Sequence, residues 1–531
     1  MKKFAFILLS LLLAITLIAC TDSGDGAGTT AGDTGNAVTT TAPVTDDQPP
    51  ERAPEGELDG QLTLSDVKTI TLDPSVTHQE IESFGASGAW WSQIIGTGPV
   101  REKVAKLLFD PVEGIGLNSY RYNIGGGSTE DGARSSSIGD IWRRTESFET
   151  EPGVYNWKKD RGAVWFMKRA AELGVDEIVM FVNSPLERMT VNGKTYADET
   201  SANKSNLAPE NYEEFAKYVL DVAEHFKEEG LPIKYISPIN EPQYGWDYPA
   251  GVGHAQEGCH YSNKEIIDIL RVFVEKIGER EGLKGVEICA PDGGSWNPDT
   301  LVFSELIAKD EVLGQYLSGI DNHSYWSTTE VKRDFKKVFD EKYPNLKFRQ
   351  SEWCQMENGR DLTMESALEL AKIVYEDMTI LDCVSWQYWI AVSCYDYHDG
   401  LIYTDAQGND LQVPKRLWSL GNYSRFIDRG YTRIDCTTTE RIPGVSLSAY
   451  KGANEYGEDE TVIVIVNEGR NERNVNFAGL DTSAYNRISV NVTDEEHDLE
   501  ETYYAEFLDG TAVSVPAQSV VTVVISNRTD A

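Results

Sequence analysis

Residues 211–242 read NYEEFAKYVLDVAEHFKEEGLPIKYISPINEP. Apolar side chains at Phe215, Tyr218, Val219, Val222 and Phe226 recur at helical spacing, which predicts an amphipathic helix over 211–227. The run 233–239 then reads as a strand, and it ends in Asn240-Glu241-Pro242. The same alternation extends in both directions. Strand-type runs fall at 81–85, 117–124, 177–182, 286–290, 319–323, 346–350 and 383–388. Helical patterns fall at 163–173, 265–277, 301–308, 331–339, 365–380 and 415–427. Strand–helix alternation implies a parallel sheet. Eight strands, seven of them followed by a helical pattern, over about 340 residues predict an α/β fold, a (β/α)₈ barrel with long loops. A doubly wound open sheet would usually show a glycine-rich phosphate turn. Gly125-Gly126-Gly127 follows the second strand, but no helix pattern starts directly after it, so a nucleotide site is discounted.

Beyond about residue 429 the helical period disappears. Runs at 445–450, 461–466, 488–492, 505–508 and 520–525 are of β type and are mostly separated by Gly, Asn and Asp. They predict a small antiparallel β-sandwich. The run 67–72 is also β-like and is expected to pair with it, so that the sandwich draws on both chain ends. The expected layout is a signal peptide at 1–19, a disordered linker at 20–62, a joining strand at 63–79, the barrel at 80–428 and the sandwich at 429–531.

The chain has 531 residues, 40% hydrophobic and 10% aromatic, enough for a large core and inconsistent with a wholly disordered or fibrous protein. Its 48 basic and 86 acidic residues give a formal net charge of −38. Such a surface repels phosphate backbones and anionic lipid, so a nucleic-acid partner is not expected. Lys2 and Lys3 precede an apolar stretch at 4–18 that ends Leu17-Ile18-Ala19-Cys20. This pattern resembles a bacterial lipoprotein cleavage site, with Cys20 the lipidated first mature residue. The expected location is extracytoplasmic, anchored by that lipid at the bacterial surface or envelope. The following Thr-, Gly-, Asp- and Pro-rich segment cannot bury enough apolar area to offset ordering entropy and reads as a flexible spacer. Six other cysteines (Cys259, Cys289, Cys354, Cys383, Cys394 and Cys436) allow fifteen pairings, and a core this large needs none. No CxxC pair is present, and neither a metal nor a cofactor is expected.

Two glutamates stand just beyond the carboxyl ends of predicted barrel strands: Glu241 after the fourth and Glu352, in Ser351-Glu352-Trp353, after the seventh. Active sites of this fold lie on that face. Two carboxylates on one pocket can divide labour, one keeping its proton as an acid and the other attacking as an anion. Glycoside hydrolysis needs such a pair. Asn240 is placed to bond a sugar 2-hydroxyl. Aromatics crowd the proposed rim: Trp90, Trp91, Trp142, Tyr244, Trp246, Tyr248, Trp296, Trp326, Trp353, Tyr395 and Tyr397. Sugars pack their C–H faces on rings, so this abundance favours carbohydrate over peptide.

The Asn240-Glu241-Pro242 motif with Glu352 resembles the clan of retaining glycosidases built on this barrel. Several stretches resemble glycoside hydrolase family 30 in particular: 84–91 (FGASGAWW), 120–127 (YRYNIGGG), 181–185 (FVNSP), 420–427 (LGNYSRFI) and 515–520 (VPAQSV). The resemblance runs from about residue 65 to 526 and implies a side β-domain. It implies Glu241 as acid/base and Glu352 as nucleophile. Arg121 would keep the nucleophile ionised, Tyr325 would orient it, and His323 would line the pocket. Trp386 would be the floor under a sugar ring. Asn123, Asn183 and Trp90, within the matching stretches, would bind substrate or support the site. The pattern departs after strand three, where Pro185-Leu186-Glu187-Arg188-Met189 lacks the family's second proline and its tryptophan. Glu187 and Arg188 read as a solvated loop pair or as contacts to a hydroxyl or an acidic sugar.

The reading is an exported retaining β-glycosidase that cleaves polysaccharide by double displacement. The 90–91 pair and the 121–123 strand look closest to members acting on β-1,6-galactan. Xylan- and β-1,6-glucan-active members stay open, as does a non-catalytic surface glycan-binding lipoprotein.

Overall fold

The computed structural model describes residues 57–129, 138–197, 203–247 and 256–528. The expected signal peptide, Cys20, Tyr248 and most of the linker lie outside them. Eight parallel barrel strands follow in order: Ser83–Ser87, Ser119–Asn123, Glu177–Phe181, Ile233–Ser237, a fifth in two pieces, Gly319–His323, Lys347–Glu352 and Cys383–Tyr388. The fifth strand is broken. Glu287–Ile288 pairs with strand four, and Pro291–Gly293 pairs with strand six. Proline lacks the N–H that a continuous ladder would need at Pro291. Cys289 and Ala290 bridge the break, with Cys289 N donating to Ile236 O and Asp321 N donating to Ala290 O. The two pieces close the barrel.

A helix follows every strand. The longer ones start where the sequence supplies caps. Ser262 and Glu265 form a reciprocal capping box for Asn263–Gly278, and Asn297 and Thr328 cap Pro298–Lys309 and Thr329–Lys342. Strand one is followed by Ser92–Ile95 and Arg101–Phe109, which were not apparent in the sequence.

Nine strands form the second sheet. Val67–Glu80 lies between Thr432–Thr438, which it meets antiparallel with Leu72 opposite Cys436, and Arg473–Ala478, which it meets parallel. The strand Asp459–Asn467 joins this sheet to the barrel. Val462, Val464 and Val466 pack into the barrel-side core, whereas Ile463 and Ile465 pack into the sandwich core. A strand buried on both faces reads as an unbroken apolar run, and residues 461–466 are TVIVIV. On the barrel side the last helix, Lys415–Ser424, presses close. A Cβ at Gly421 would come within 2.7 Å of Leu499 Cδ2 and 2.8 Å of Ile115 Cγ2. Buried Asn422 donates to Asn491 O and Thr522 Oγ1 across this junction. Near the N-terminus, Asp59 N donates to Tyr504 O and Gln61 Nε2 to Glu506 O. The chain is therefore already docked on the edge strand Asp498–Glu506 within the stretch expected to be disordered linker. All six described cysteines are free thiols.

Candidate active site

Glu352 is the last residue of barrel strand seven. Glu241 lies four residues beyond the end of strand four, and its N–H donates to Asp292 O at 2.8 Å, tying the fourth loop to the broken fifth strand. Four non-glycine residues at the ends of strands four to six hold left-handed backbone: Glu241 (φ 44°), Trp246 (φ 50°), Asp292 (φ 50°) and Trp326 (φ 52°). Each such residue costs of order 1–3 kcal/mol and persists only where its surroundings over-determine it.

Glu241, Glu352 and His323 each offer one side-chain N or O atom within 4.8 Å of the others'. Their environments differ. Glu352 accepts from Arg121 Nη1 at 2.8 Å and from Tyr325 Oη at 3.1 Å. Glu241 meets no cationic donor; its carboxylate oxygen lies 3.2 Å from His323 Nδ1. Burial pushes Glu241 up to about 8, against the pull of Arg121 and with a further rise from Asp292. Burial also raises Glu352, but His323 and Arg121 oppose it. Burial lowers His323, with Glu352 and Asp292 pulling the other way. This arrangement keeps one carboxyl protonated and places a fixed positive charge on the other. The trio is also spaced for a metal ion, but the guanidinium already bonded to Glu352 opposes a second cation there.

Arg121 is fully buried and organises the floor of the site. Its Nη2 donates to Asn240 Oδ1 and Asp292 Oδ2, both at 3.0 Å, and its guanidinium lies 3.7 Å from the Phe181 ring centroid. Guanidinium only donates, so Asn240 must turn its carbonyl to it. Asn240 Nδ2 then donates to Asn183 Oδ1 at 3.1 Å, and Asn183 Nδ2 to Asn123 Oδ1 at 3.4 Å. The relay ends at the Asn123 amide, whose buried NH₂ has no partner. Along this chain Asn240 keeps one free N–H and Asn123 two, the donors a sugar hydroxyl needs.

Several expected residues take other places. Trp386 is fully buried; its Nε1 donates to Asp377 Oδ2 at 2.9 Å, so it lies beneath the site and is not a sugar-binding floor. Trp91 and Trp296 are likewise core, and Trp353 is buried against Trp386 and Tyr388. Trp90 is 5% exposed and meets Trp389 edge-on at 5.0 Å, with Arg143 5.2 Å from the rings of both Trp90 and Tyr395. Arg188 does not face a substrate. It bonds Glu149 through Nε and Nη2 and Glu214 through Nη1.

Asp292 escaped the sequence reading. It is fully buried, and although burial raises it, Arg121, His323 and Ser237 hold it below the usual carboxylate value. Its only sequence signal is an Asp directly after the Ala290-Pro291 break in strand five.

The family model O-Glycosyl hydrolase family 30 matches residues 67–300 and 302–403. The chain is 25% identical over 423 residues to an endo-beta-1,6-galactanase of Hypocrea rufa, covering 76% of this chain and 81% of that one. Its fold is similar to a conserved exported protein from Bacteroides fragilis (TM-score 0.75, 26% identity, 86% and 100% covered). It is also similar to the catalytic domain of GH30 xylanase C from Talaromyces cellulolyticus (TM-score 0.66, 22% identity, 86% and 100% covered).

Proposed function

The chain belongs to O-glycosyl hydrolase family 30 and is a glycoside hydrolase acting on polysaccharide, and on that premise we propose that it is an exported, retaining endo-β-1,6-galactanase. The carrying observation is the carboxylate pair. Oxygens of Glu241 and Glu352 lie within 4.8 Å, which suits the roughly 5–5.5 Å separation of a retaining pair and leaves no room for the water of an inverting one, at about 6.5–9.5 Å. In the first step a Glu352 oxygen bonds the anomeric carbon while the glycosidic C–O bond breaks. The leaving oxygen takes the proton of Glu241. In the second step Glu241 removes a proton from water, whose oxygen bonds the anomeric carbon and releases Glu352. Asn240 and Asn123 offer amide N–H donors to sugar hydroxyls, Tyr325 orients Glu352, and His323, fully buried, packs against Glu241 rather than lining the pocket.

Galactan is favoured by the relative of that name, matched over most of both chains. The test is a panel of β-1,6-galactan, xylan and β-1,6-glucan with products resolved by size. A ladder of short galactans supports the reading. A ladder from xylan or β-1,6-glucan moves the substrate within the family. Binding of a glycan without cleavage supports a non-catalytic surface lipoprotein and overturns the enzymatic mechanism.

Export and anchoring rest on the leader, with Lys2, Lys3, the apolar stretch and Cys20. Labelling with radioactive palmitate in cells is expected for the wild type and lost in Cys20→Ser; equal labelling of both overturns the anchor.

The pH dependence follows from the same pair. Glu241 must carry its proton in the first step, and that proton leaves as pH rises through about 8. The value of kcat/KM is therefore expected to fall about tenfold per pH unit above that point, as an essential acid requires. Glu241→Gln is expected to lose this basic limb from its residual activity on the glycan. A basic limb that persists in that variant assigns the titration to another group.

A further inference from the structure

Trp326 is the exposed tryptophan among the described residues, 64% accessible, in a protein that otherwise buries or half-buries its indoles. It also sits in left-handed backbone at φ 52°. The loop is built to hold it there. Ser327 Oγ donates to Tyr325 O at 3.1 Å and accepts from Trp296 N at 2.9 Å, clamping both sides of the turn. The ring lies 5.6 Å from Tyr325, whose hydroxyl bonds Glu352, and 6.4 Å from Tyr244, three residues past Glu241. Tyr244 in turn meets Trp246 edge-on at 6.2 Å, and Trp246 Nε1 donates to Glu241 O. A line of rings thus runs from the nucleophile, through Trp326, to the loop of Glu241.

A second aromatic group, Trp90, Trp389 and Tyr395 with Arg143, comes from the loops after strands one, eight and two. Around the barrel, strands four to six lie on one side of strand seven and strands eight, one and two on the other. The two groups therefore flank the carboxylates from opposite sides. Glu241 delivers its proton to the leaving oxygen, so the sugar beyond that oxygen lies on the strand four to six side. We propose that Trp326 is the platform for the sugar of the leaving group, and that it makes the enzyme select internal linkages. This rests on the catalytic reading of Glu241 and Glu352, not on the identity of the glycan. An exposed indole face held ready by strained backbone gives a sugar ring contact area at little ordering cost.

The test compares Trp326→Ala and Trp326→Phe with the wild type on two kinds of probe. One is a β-1,6-linked galactotetraose, with xylotetraose and the β-1,6-linked glucotetraose in the same panel. The other is the β-glycosyl fluoride of the corresponding disaccharide, whose one-atom leaving group puts no ring on the Trp326 side. For Trp326→Ala, kcat/KM on the tetrasaccharide is expected to fall roughly tenfold or more, the scale of one lost ring contact with its buried area, while the fluoride probe changes less than about twofold. Transfer of the glycosyl group to added disaccharide acceptor is expected to fall with it. Trp326→Phe is expected to keep most of both. An equal fall on both probes overturns the proposal in favour of a structural role, and no change on either overturns it as idle exposure. A wild-type protein that cleaves no probe overturns the catalytic reading, and this proposal with it.

Discussion

Glu352→Gln is expected to lower kcat by roughly 10⁴–10⁶-fold on every substrate, the scale seen when a covalent nucleophile is lost. The amide is isosteric; its one oxygen can keep the Arg121 bond and its NH₂ can donate to the Tyr325 hydroxyl in place of the second oxygen, so the fold should survive. What disappears is the negative charge that makes this side chain a nucleophile toward the anomeric carbon. Glu241→Gln is expected to cost about 10²–10⁴-fold on glycans, which need their leaving oxygen protonated. It should cost the first step little with a nitrophenol leaving group, which departs without a proton. Azide separates the two roles. In Glu352→Ala it enters the space of the missing carboxylate, attacks on that face and gives an α-glycosyl azide from a β-glycoside. In Glu241→Ala the glycosyl-enzyme still forms, azide replaces the second-step water, and the product is the β-azide. Product stereochemistry read by NMR decides the assignment. The opposite pairing of variant and anomer exchanges the roles, and failure of azide to rescue either variant sinks the double displacement.

The barrel was legible because each repeat announces itself locally. The helix at Tyr212–Glu228 buries Phe215, Tyr218, Val219, Val222 and Phe226, the residues its spacing singled out. The break in strand five was not legible, since Val286 to Ala290 is an ordinary apolar run and only the pairing of its two pieces reveals the bend. Three strands of the second sheet were missed for a related reason. Thr432–Thr438 and Arg473–Ala478 interrupt their apolar residues with polar ones, and Ala512–Val515 is only four residues long, so pairing with neighbours rather than a long apolar run makes them strands.

At the site, sequence placed the two glutamates at strand ends, because a residue's position along a strand fixes its end of the barrel. It could not say which side chains touch. Asp292 meets Arg121 only through the register of strands two and five, far apart in the chain. Trp386 failed in the opposite direction. Its place near a strand end suggested a sugar-facing ring, but Asp377 on the preceding helix draws the indole into the wall. The donors of Asn123 and the exposure of Trp326 are likewise properties of the assembled site.

Arg121 is where that assembly is most exposed to test. Arg121→Met keeps length and apolar bulk beside Phe181 but removes the one cation shared by Glu352 and Asp292. Removing one partner of a buried ion pair leaves uncompensated charge, at about 3–5 kcal/mol. Urea denaturation is expected to show a loss on that scale. The nucleophile suffers as well. Without the positive charge the ionised form of Glu352 is disfavoured and its pKa rises, so the acidic limb of kcat/KM moves to higher pH. Arg121→Lys should lie between, because one ammonium cannot span Glu352, Asp292 and Asn240 as the guanidinium fork does. The double variant Arg121→Met/Asp292→Asn separates the two effects. It removes one orphaned charge, so much of the stability should return. Glu352 still lacks its counter-charge and the Asn240 relay its first donor, so activity should not. If activity returns with stability, or the acidic limb of the single variant stays in place, Arg121 is a strut of the barrel and not the group that holds the nucleophile ionised.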